Sequence, residues 1–422
     1  MKFGSLRRSL SWSLIGNVYF AAAQWLLLVV IAKFGSAAMV GQFSICLAIV
    51  TPIMTLTNLQ LRVVQATDTQ NQYMFRDLMG LRLLTIVVSV LLALIAVFAF
   101  GYDSETAMVL GFVLLAKAVE SASDVSHGVF QKHENMRALA ISKIIKGTIA
   151  IPVFAAILQT SGSLVWAAFG WMVSWLISLF IYDLPKTKRY EAVFPRIRWK
   201  ECLRVVKICL PLGIVFMLTS LNTNIPRFFI ERSVGVEQLG LFTAVSYLLV
   251  AGSTVVSALG QAATFRLAKS LDDKEFGHFY RLTYKLMGLG LALGLLGIAA
   301  AAVAGKTILT LLYTAEYAQY STVFLIVTVA GLIDYVAVFG GYGLSATKKF
   351  GVQPYLGLIW TAAVIVSCFF LVPAYGVEGA AYSLVVSSFV RLVAQWIALR
   401  LITSKMRKVS NRERVILHET IV

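Results

Sequence analysis

The sequence predicts an all-α, polytopic membrane protein with about twelve transmembrane helices in two six-helix bundles. Three observations predict it. Hydrophobic residues make up 59% of the chain and charged residues only 14%, whereas soluble domains carry about 25% charge. Mean hydropathy is +0.81. Apolar runs of about the length a helix needs to cross a bilayer recur from one end of the chain to the other. Charge this sparse cannot shield 422 residues from water, so most of the surface is solvated by lipid. The runs lack the period-two alternation of a membrane barrel, so each span is a helix that satisfies its own backbone.

The first span is 12–34. Lys2, Arg7 and Arg8 precede it and Ala21-Ala22-Ala23 resembles a signal-peptidase site, but the apolar run continues through Trp25 to Phe34, so it reads as an uncleaved helix. The other spans of the N-terminal half are 41–64, 81–102, 107–128, 139–158 and 164–183. Residues 184–207 hold Pro185, Pro195 and eight basic side chains and read as a cytoplasmic linker. The second half continues with spans 208–230, 239–262, 284–304, 323–344, 352–372 and 380–402, followed by a basic tail, 403–422. The expected organisation is therefore an N-terminal bundle over 1–183, the linker, and a C-terminal bundle over 208–402.

Orientation follows from Lys and Arg, which favour cytoplasmic segments. With the N-terminus inside, 31 of the 37 basic residues fall in or beside inside segments, and only Lys33, Arg227, Arg232 and Lys306 lie outside. The expectation is a bacterial inner-membrane protein with both termini cytoplasmic. The net charge of +17 then marks membrane loops and implies no nucleic-acid partner.

Two short echoes link the halves. Val40-Gly41-Gln42-Phe43-Ser44 resembles Leu239-Gly240-Leu241-Phe242-Thr243, and Ala167-Ala168-Phe169 resembles Ala380-Ala381-Tyr382. Six spans per half give both halves the same orientation, the arrangement of transporters that hold substrate between two repeats.

Charged side chains in mid-membrane cost about 2.5–3.5 kcal/mol each on insertion scales and mark functional positions. In the fourth span Lys117, Glu120, Ser121, Asp124, Gly128 and Gln131 share a stripe about 100° wide. Lys117 is a candidate anion ligand, and Glu120 and Asp124 are candidate ion-coupling groups. The plain alternative is local neutralisation of Lys117 by Glu120. The seventh span carries Asn222, Asn224, Pro226 and Arg227, which suits a proline hinge beside a ligand surface or a capped helix end with a snorkelling arginine. Arg391 in the twelfth span has Asp334 in the tenth as its natural partner. If the two pair, they are structural; if they stand apart, Arg391 faces a cavity and Asp334 is a coupling candidate. Asn17 and Gln24 share one face of the first span, either lining the same space or bonding neighbouring helices.

Enzyme chemistry finds no support. There is no Walker A sequence, no convincing serine-histidine triad and no glycosidase-like pair of acids. Cys46, Cys202, Cys209 and Cys368 are scattered, and the histidines have no ligand spacing.

Two stretches carry a family resemblance. Residues 117–136 read KAVESASDVSHGVFQKHENM, and residues 210–253 read LPLGIVFMLTSLNTNIPRFFIERSVGVEQLGLFTAVSYLLVAGS. With Gly16-Asn17 and the turn FGSAAMVGQF at 34–43, they resemble the Wzx-like polysaccharide (O-antigen repeat-unit) flippases of the multidrug/oligosaccharidyl-lipid/polysaccharide exporter (MOP) superfamily. The fourteen-helix peptidoglycan-precursor flippases match less well, two spans being missing.

The resemblance implies a MOP/MATE-like transporter fold and a flippase. Such a protein moves undecaprenyl-pyrophosphate-linked oligosaccharides to the outer leaflet for O-antigen, capsule or exopolysaccharide synthesis, through a cation-lined cavity. Lys117, Arg227 and Arg391 are then phosphate candidates, and Asn17, Gln24, Asn222 and Asn224 sugar candidates. The expected partners are the lipid-linked oligosaccharide, membrane lipids and a polysaccharide polymerase or other glycan-assembly protein. No cofactor is expected; coupling is to membrane potential, H+ or Na+. A cation-coupled drug antiporter of the same superfamily is the alternative, and it would want acidic cavity residues. A membrane glycan polymerase or ligase is disfavoured by the short outside loops.

Overall fold

The computed structural model describes the backbone of residues 3–68 and 73–421, and the side chains of 11–408 apart from 67, 69–72, 251 and 350. The side chains of Arg7, Arg8 and the tail beyond residue 408 thus lie outside the described residues. The helices are α1 (Phe3–Phe34), α2 (Ala37–Thr57), α3 (Leu61–Thr67), α4 (Phe75–Phe100), α5 (Ser104–Lys132), α6 (Met136–Ser161), α7 (Leu164–Ser178), α8 (Leu184–Thr187), α9 (Trp199–Ser233), α10 (Val236–Asp272), α11 (Phe276–Leu312), α12 (Ser321–Ala346) and α13 (Gln353–Ile421). The described residues contain no strand.

Among the described residues, eleven helices are long and apolar enough to cross a membrane. The last of them, Gln353–Lys408, is 56 residues long and contains a break at Gly376, where φ is 57° and ψ is −129°. That backbone region is essentially closed to residues with a Cβ. The break lies between the apolar runs 352–372 and 380–402, so α13 carries the last two expected spans. The chain is a multi-pass, all-helical membrane protein. Its surface agrees: Phe98, Val303 and Leu296 are 82%, 89% and 68% exposed, which only lipid tolerates on this scale.

Polar residues set the helix ends. Ser36 caps α2 by accepting from the Met39 amide, and Asn135 caps α6 by accepting from Ala138. Asp103 accepts from the amides of Glu105 and Thr106 at the start of α5. These side chains satisfy amides that have no partner within the helix.

The backbone divides into two compact units, Met1–Ala244 and Val245–Val422. The boundary falls inside α10, whereas the helix count divides the sequence at 184–207. Packing explains the difference. The linker is strapped to α4: Glu191 accepts from the Phe75 amide at 2.7 Å, the Arg196 amide donates to the Arg76 carbonyl at 2.9 Å, and Asp77 holds both Arg196 and Arg198. Gly213 lets α9 approach the Leu56 carbonyl of α2. The first turns of α10 cross α2 backbone to backbone, where a Cβ on Gly41 would lie 1.8 Å from the Val236 carbonyl and one on Gly240 would lie 1.9 Å from the Ala37 carbonyl.

Elsewhere in the first unit, α1 lies along α6, with Gly16 against Ala140 and Gly147 against Ala23. In the second unit α12 packs on α11 and α13, with Gly294 under Leu332 and a buried cluster of Leu267, Phe279, Leu344 and Leu399.

Candidate functional site

The polar stripe of α5 faces the interior of the first unit. Lys117 Nζ lies 2.8 Å from Glu120 Oε2 and over the rings of Trp171 and Trp175 at 5.9 and 5.4 Å. Ser121 donates to Asn58 Oδ1. Asp124 pairs with Arg62 of α3 at 3.2 Å, and Gly128 makes room for the Gln65 side chain. Lys117 is therefore locally neutralised by Glu120, the plainer of the two readings offered by their spacing.

Around this stripe lie further charges from α4, α6 and the turn that follows α7. Lys143 Nζ donates to Asn17 Oδ1 at 2.6 Å and sits over Phe20. Lys146 and Asp183 are 1% and 0% exposed and 3.1 Å apart; the distance is ionic, although neither group has hydrogen-bond alignment. Asp183 ends a π-helical turn, Leu179–Asp183, at the foot of α7; such turns are frequent at functional sites. Arg82 is fully buried. Its Nη1 donates to Asn58 Oδ1 at 2.7 Å, and its Nε and Nη2 have no hydrogen-bond partner. Asn58 itself stands at the break between α2 and α3, where Leu59 and Gln60 adopt positive φ.

Charge links these side chains into one group. Glu120 interacts with Lys117, Lys146 and Lys143; Lys143 interacts with Arg62, Glu120 and Asp124; and Arg82 interacts with Asp124. Five cations (Arg62, Arg82, Lys117, Lys143, Lys146) thus meet three carboxylates (Glu120, Asp124, Asp183), an excess of two positive charges. The signal that could have found them was position: Lys143 and Lys146 lie inside the apolar run 139–158.

Asn222, Asn224 and Arg227 sit together on α9. Arg227 Nη1 donates to Asn224 Oδ1 at 2.9 Å, and Asn224 Nδ2 donates to the Ser220 carbonyl at 2.8 Å. Asn222 is 1% exposed with both amide atoms lacking a hydrogen-bond partner. The helix continues through Pro226 to Ser233. On α1, Asn17 is exposed and Gln24 half-buried.

In the second unit Arg391 Nη1 lies 2.5 Å from Asp334 Oδ1, and its guanidinium lies over Trp360 at 4.2 Å. The two pair directly, the arrangement that neutralises the arginine; its buried Nε has no hydrogen-bond partner. Nearer the tail, Arg400 lies over Tyr280 and Trp396 and donates to the Tyr284 hydroxyl.

Comparison with known proteins bears on family and fold. Residues 6–271 match the family model described as polysaccharide biosynthesis protein. The chain is 26% identical over 396 residues to the capsular polysaccharide biosynthesis protein CapF of Staphylococcus aureus, covering 92% of this chain and 98% of that one. Its fold is similar to that of the lipid II flippase MurJ in an inward closed conformation, with a TM-score of 0.74 at 12% identity over 96% of this chain and 92% of that one. It is also similar to an inward-facing multidrug resistance MATE family transporter of the MOP superfamily, with a TM-score of 0.69 at 12% identity over 94% and 96% of the two chains.

Proposed function

The chain belongs to the polysaccharide biosynthesis protein family, and on that premise we propose that it is a flippase for a lipid-linked oligosaccharide carrying a pyrophosphate. The substrate class is an undecaprenyl-pyrophosphate-linked repeat unit, moved outward across the bacterial cytoplasmic membrane for a capsule, O-antigen or exopolysaccharide. The supporting observation is the sign of the membrane-embedded charge in the first unit: five cations against three carboxylates. An unfilled excess of two positive charges in low dielectric is costly, and a pyrophosphate supplies a matching anion with many acceptor oxygens.

Lys143 and Arg62 are the first ligands we assign to the phosphates, being only partly buried at the margin of the cluster. Lys117, Arg227 and Arg391 are retained as secondary candidates, since Lys117 and Arg391 already hold carboxylates and Arg227 bonds Asn224. Asn17, beside Lys143, is the sugar or phosphate contact of that margin; Gln24, Asn222 and Asn224 are the remaining sugar candidates. The protein performs no bond chemistry in this reading, and a polymerase or other glycan-assembly protein consumes its product.

An anion leaving the cytoplasm runs down an inside-negative potential worth about 2.3 kcal/mol per charge per 100 mV. Glu120, Asp124 and Asp334 each hold a cation at 2.8, 3.2 and 2.5 Å, which favours drive by potential over H+ or Na+ exchange at those acids. The same pairing disfavours a cation antiporter, which needs a carboxylate free for its cargo.

The test is leaflet transfer of a fluorescent pyrophosphate-linked oligosaccharide lipid in proteoliposomes under imposed potentials. Transfer that quickens toward the positive side and needs no ion gradient supports the reading. Transport of organic cations with no movement of the lipid would replace it with the antiporter.

A further inference from the structure

Asp124 has more cations within reach than it holds. On α5 it follows Ser121 by about one turn, and it pairs with Arg62 of α3 at 3.2 Å. Both members of that pair are partly open, with side chains 35% and 29% exposed. Arg82 of α4, by contrast, is 0% exposed, and it interacts with Asp124 through charge alone. Asn58 fixes its place. The Asn58 amide oxygen accepts from Arg82 Nη1 at 2.7 Å and also from the Ser121 hydroxyl. The buried guanidinium is thereby tied to the turn of α5 that precedes Asp124, while its Nε and Nη2 have no hydrogen-bond partner among the described residues.

A buried cation with two idle donors is costly, because nothing replaces the water those donors lost. Native structures fill such donors, and an exception calls for a physical reason. Asp124 is the carboxylate whose charge Arg82 feels, and a guanidinium fork matches a carboxylate in two parallel bonds. Lys143 also interacts with Asp124, but its ammonium is held by Asn17 at 2.6 Å. Arg82 is the neighbour with donors to spare.

We propose that Asp124 is a shared carboxylate that passes from Arg62 to Arg82 when a phosphate takes Arg62. This rests on the reading of the first unit as a pyrophosphate site and deepens it, since Arg62 enters that site already paired. Phosphate oxygens displace Asp124 from Arg62, and Asp124 then fills Nε and Nη2 of Arg82. The displaced carboxylate is not left unpaired beside the incoming anion. Arg82 does not touch the substrate; it is a positioning residue that acts through Asp124. One charge-assisted pair replaces another, so the exchange is nearly balanced and reverses when the phosphate leaves.

Two measurements on the full-length protein in detergent test the exchange. The first needs no ligand. Arg62→Ala should leave the unfolding midpoint near wild type, because Asp124 falls back on Arg82. Combining it with Arg82→Gln should lower the midpoint by more than the sum of the two single shifts. Shifts that merely add overturn the exchange. The second keeps Arg62 in place and titrates farnesyl pyrophosphate, with farnesol as the blank. Arg82→Gln should weaken binding about tenfold, the effect of losing one charge-assisted contact, but only about twofold where Asp124→Asn has removed the carboxylate that needs a partner. An equal loss in both backgrounds makes Arg82 a plain source of positive field; it overturns the proposal and leaves the pyrophosphate reading standing. If the wild type takes up farnesyl pyrophosphate no better than farnesol, the pyrophosphate reading itself fails, and the exchange fails with it.

Discussion

Ser44 and Thr243 share a buried hydroxyl-to-hydroxyl hydrogen bond of 2.7 Å, and they hold the same position in two copies of one short motif, 199 residues apart. The surrounding contacts repeat with that offset. Gly41 meets the Val236 carbonyl and the Gly240 amide, and Gly240 meets the Ala37 carbonyl and the Gly41 amide. Each copy thus uses on the other the surface that the other uses on it, the geometry of a self-complementary two-fold contact.

The crossing has no space for a methyl group. Gly41→Ala and Gly240→Ala should each cost about 1–3 kcal/mol through overpacking, lowering the thermal unfolding midpoint in detergent. Gly111→Ala, at a helical glycine with nothing within 4 Å, should be neutral or stabilising. Ser44→Ala should cost about 1–2 kcal/mol by orphaning Thr243, and adding Thr243→Val should cost less than a second equal step.

Lys146 and Asp183 are sealed from solvent. Replacing one alone leaves an unpaired charge, so Lys146→Met or Asp183→Leu should lose about 3–5 kcal/mol, whereas the double substitution should recover most of it. Unfolding midpoints of the four proteins check this. Recovery absent from the double variant would mean that the pair contributes through other contacts.

The fold was legible because length and hydropathy alone dictate a membrane helix, and the Gly376 break left a gap between the apolar runs 352–372 and 380–402. The motif echo at Gly41 and Gly240 was legible too, but not that its two copies touch, since a pairing across 199 residues leaves no periodic trace. The site was read less fully. Lys117 and Arg391 stood out as cations in mid-span, yet each has a carboxylate within hydrogen-bond reach. Lys143 and Lys146 lie inside the apolar run 139–158 and carried the same kind of signal as Lys117, whereas Arg82 lies at the start of the run 81–102, where a basic residue is ordinarily a loop charge, and only tertiary packing brings the three together. The composition of 184–207 read as a basic cytoplasmic linker; its docking depends on Asp77, Glu191 and the missing side chain of Gly80, none conspicuous in a sequence.

Asp103 offers a pH-dependent check outside the spans. Its carboxyl is held below the usual carboxylate range chiefly by the Thr106 hydroxyl, with help from the Thr106 and Glu105 amides. A depressed folded-state value stabilises the protein above the ordinary carboxylate pKa and loses that contribution as pH falls through the folded value. Asp103→Asn should therefore differ from the wild type most at neutral pH and converge with it in acid. Asp103→Ala should cost about 1 kcal/mol at neutral pH through the lost cap. Unfolding midpoints across pH read both.

Gly376 should not accept a side chain. Gly376→Ala should destabilise by about 1–3 kcal/mol because its backbone conformation excludes a Cβ, while Gly297→Ala, in open space on α11, should not. Thermal midpoints again decide, and equal midpoints would mean that the break between the last two spans relaxes at no cost.

The central claim is that the cation excess of the first unit receives the lipid-borne pyrophosphate. Its most direct test is the rate of leaflet transfer of a pyrophosphate-linked oligosaccharide in proteoliposomes for Lys143→Ala and Arg62→Ala, with Arg232→Ala, exposed at the end of α9, as the control. Losing a charge-assisted phosphate contact of about 1.5–3 kcal/mol should slow transfer roughly 10- to 100-fold in the first two at unchanged unfolding midpoints, and leave the control near wild type. Wild-type rates in both Lys143→Ala and Arg62→Ala would contradict the account.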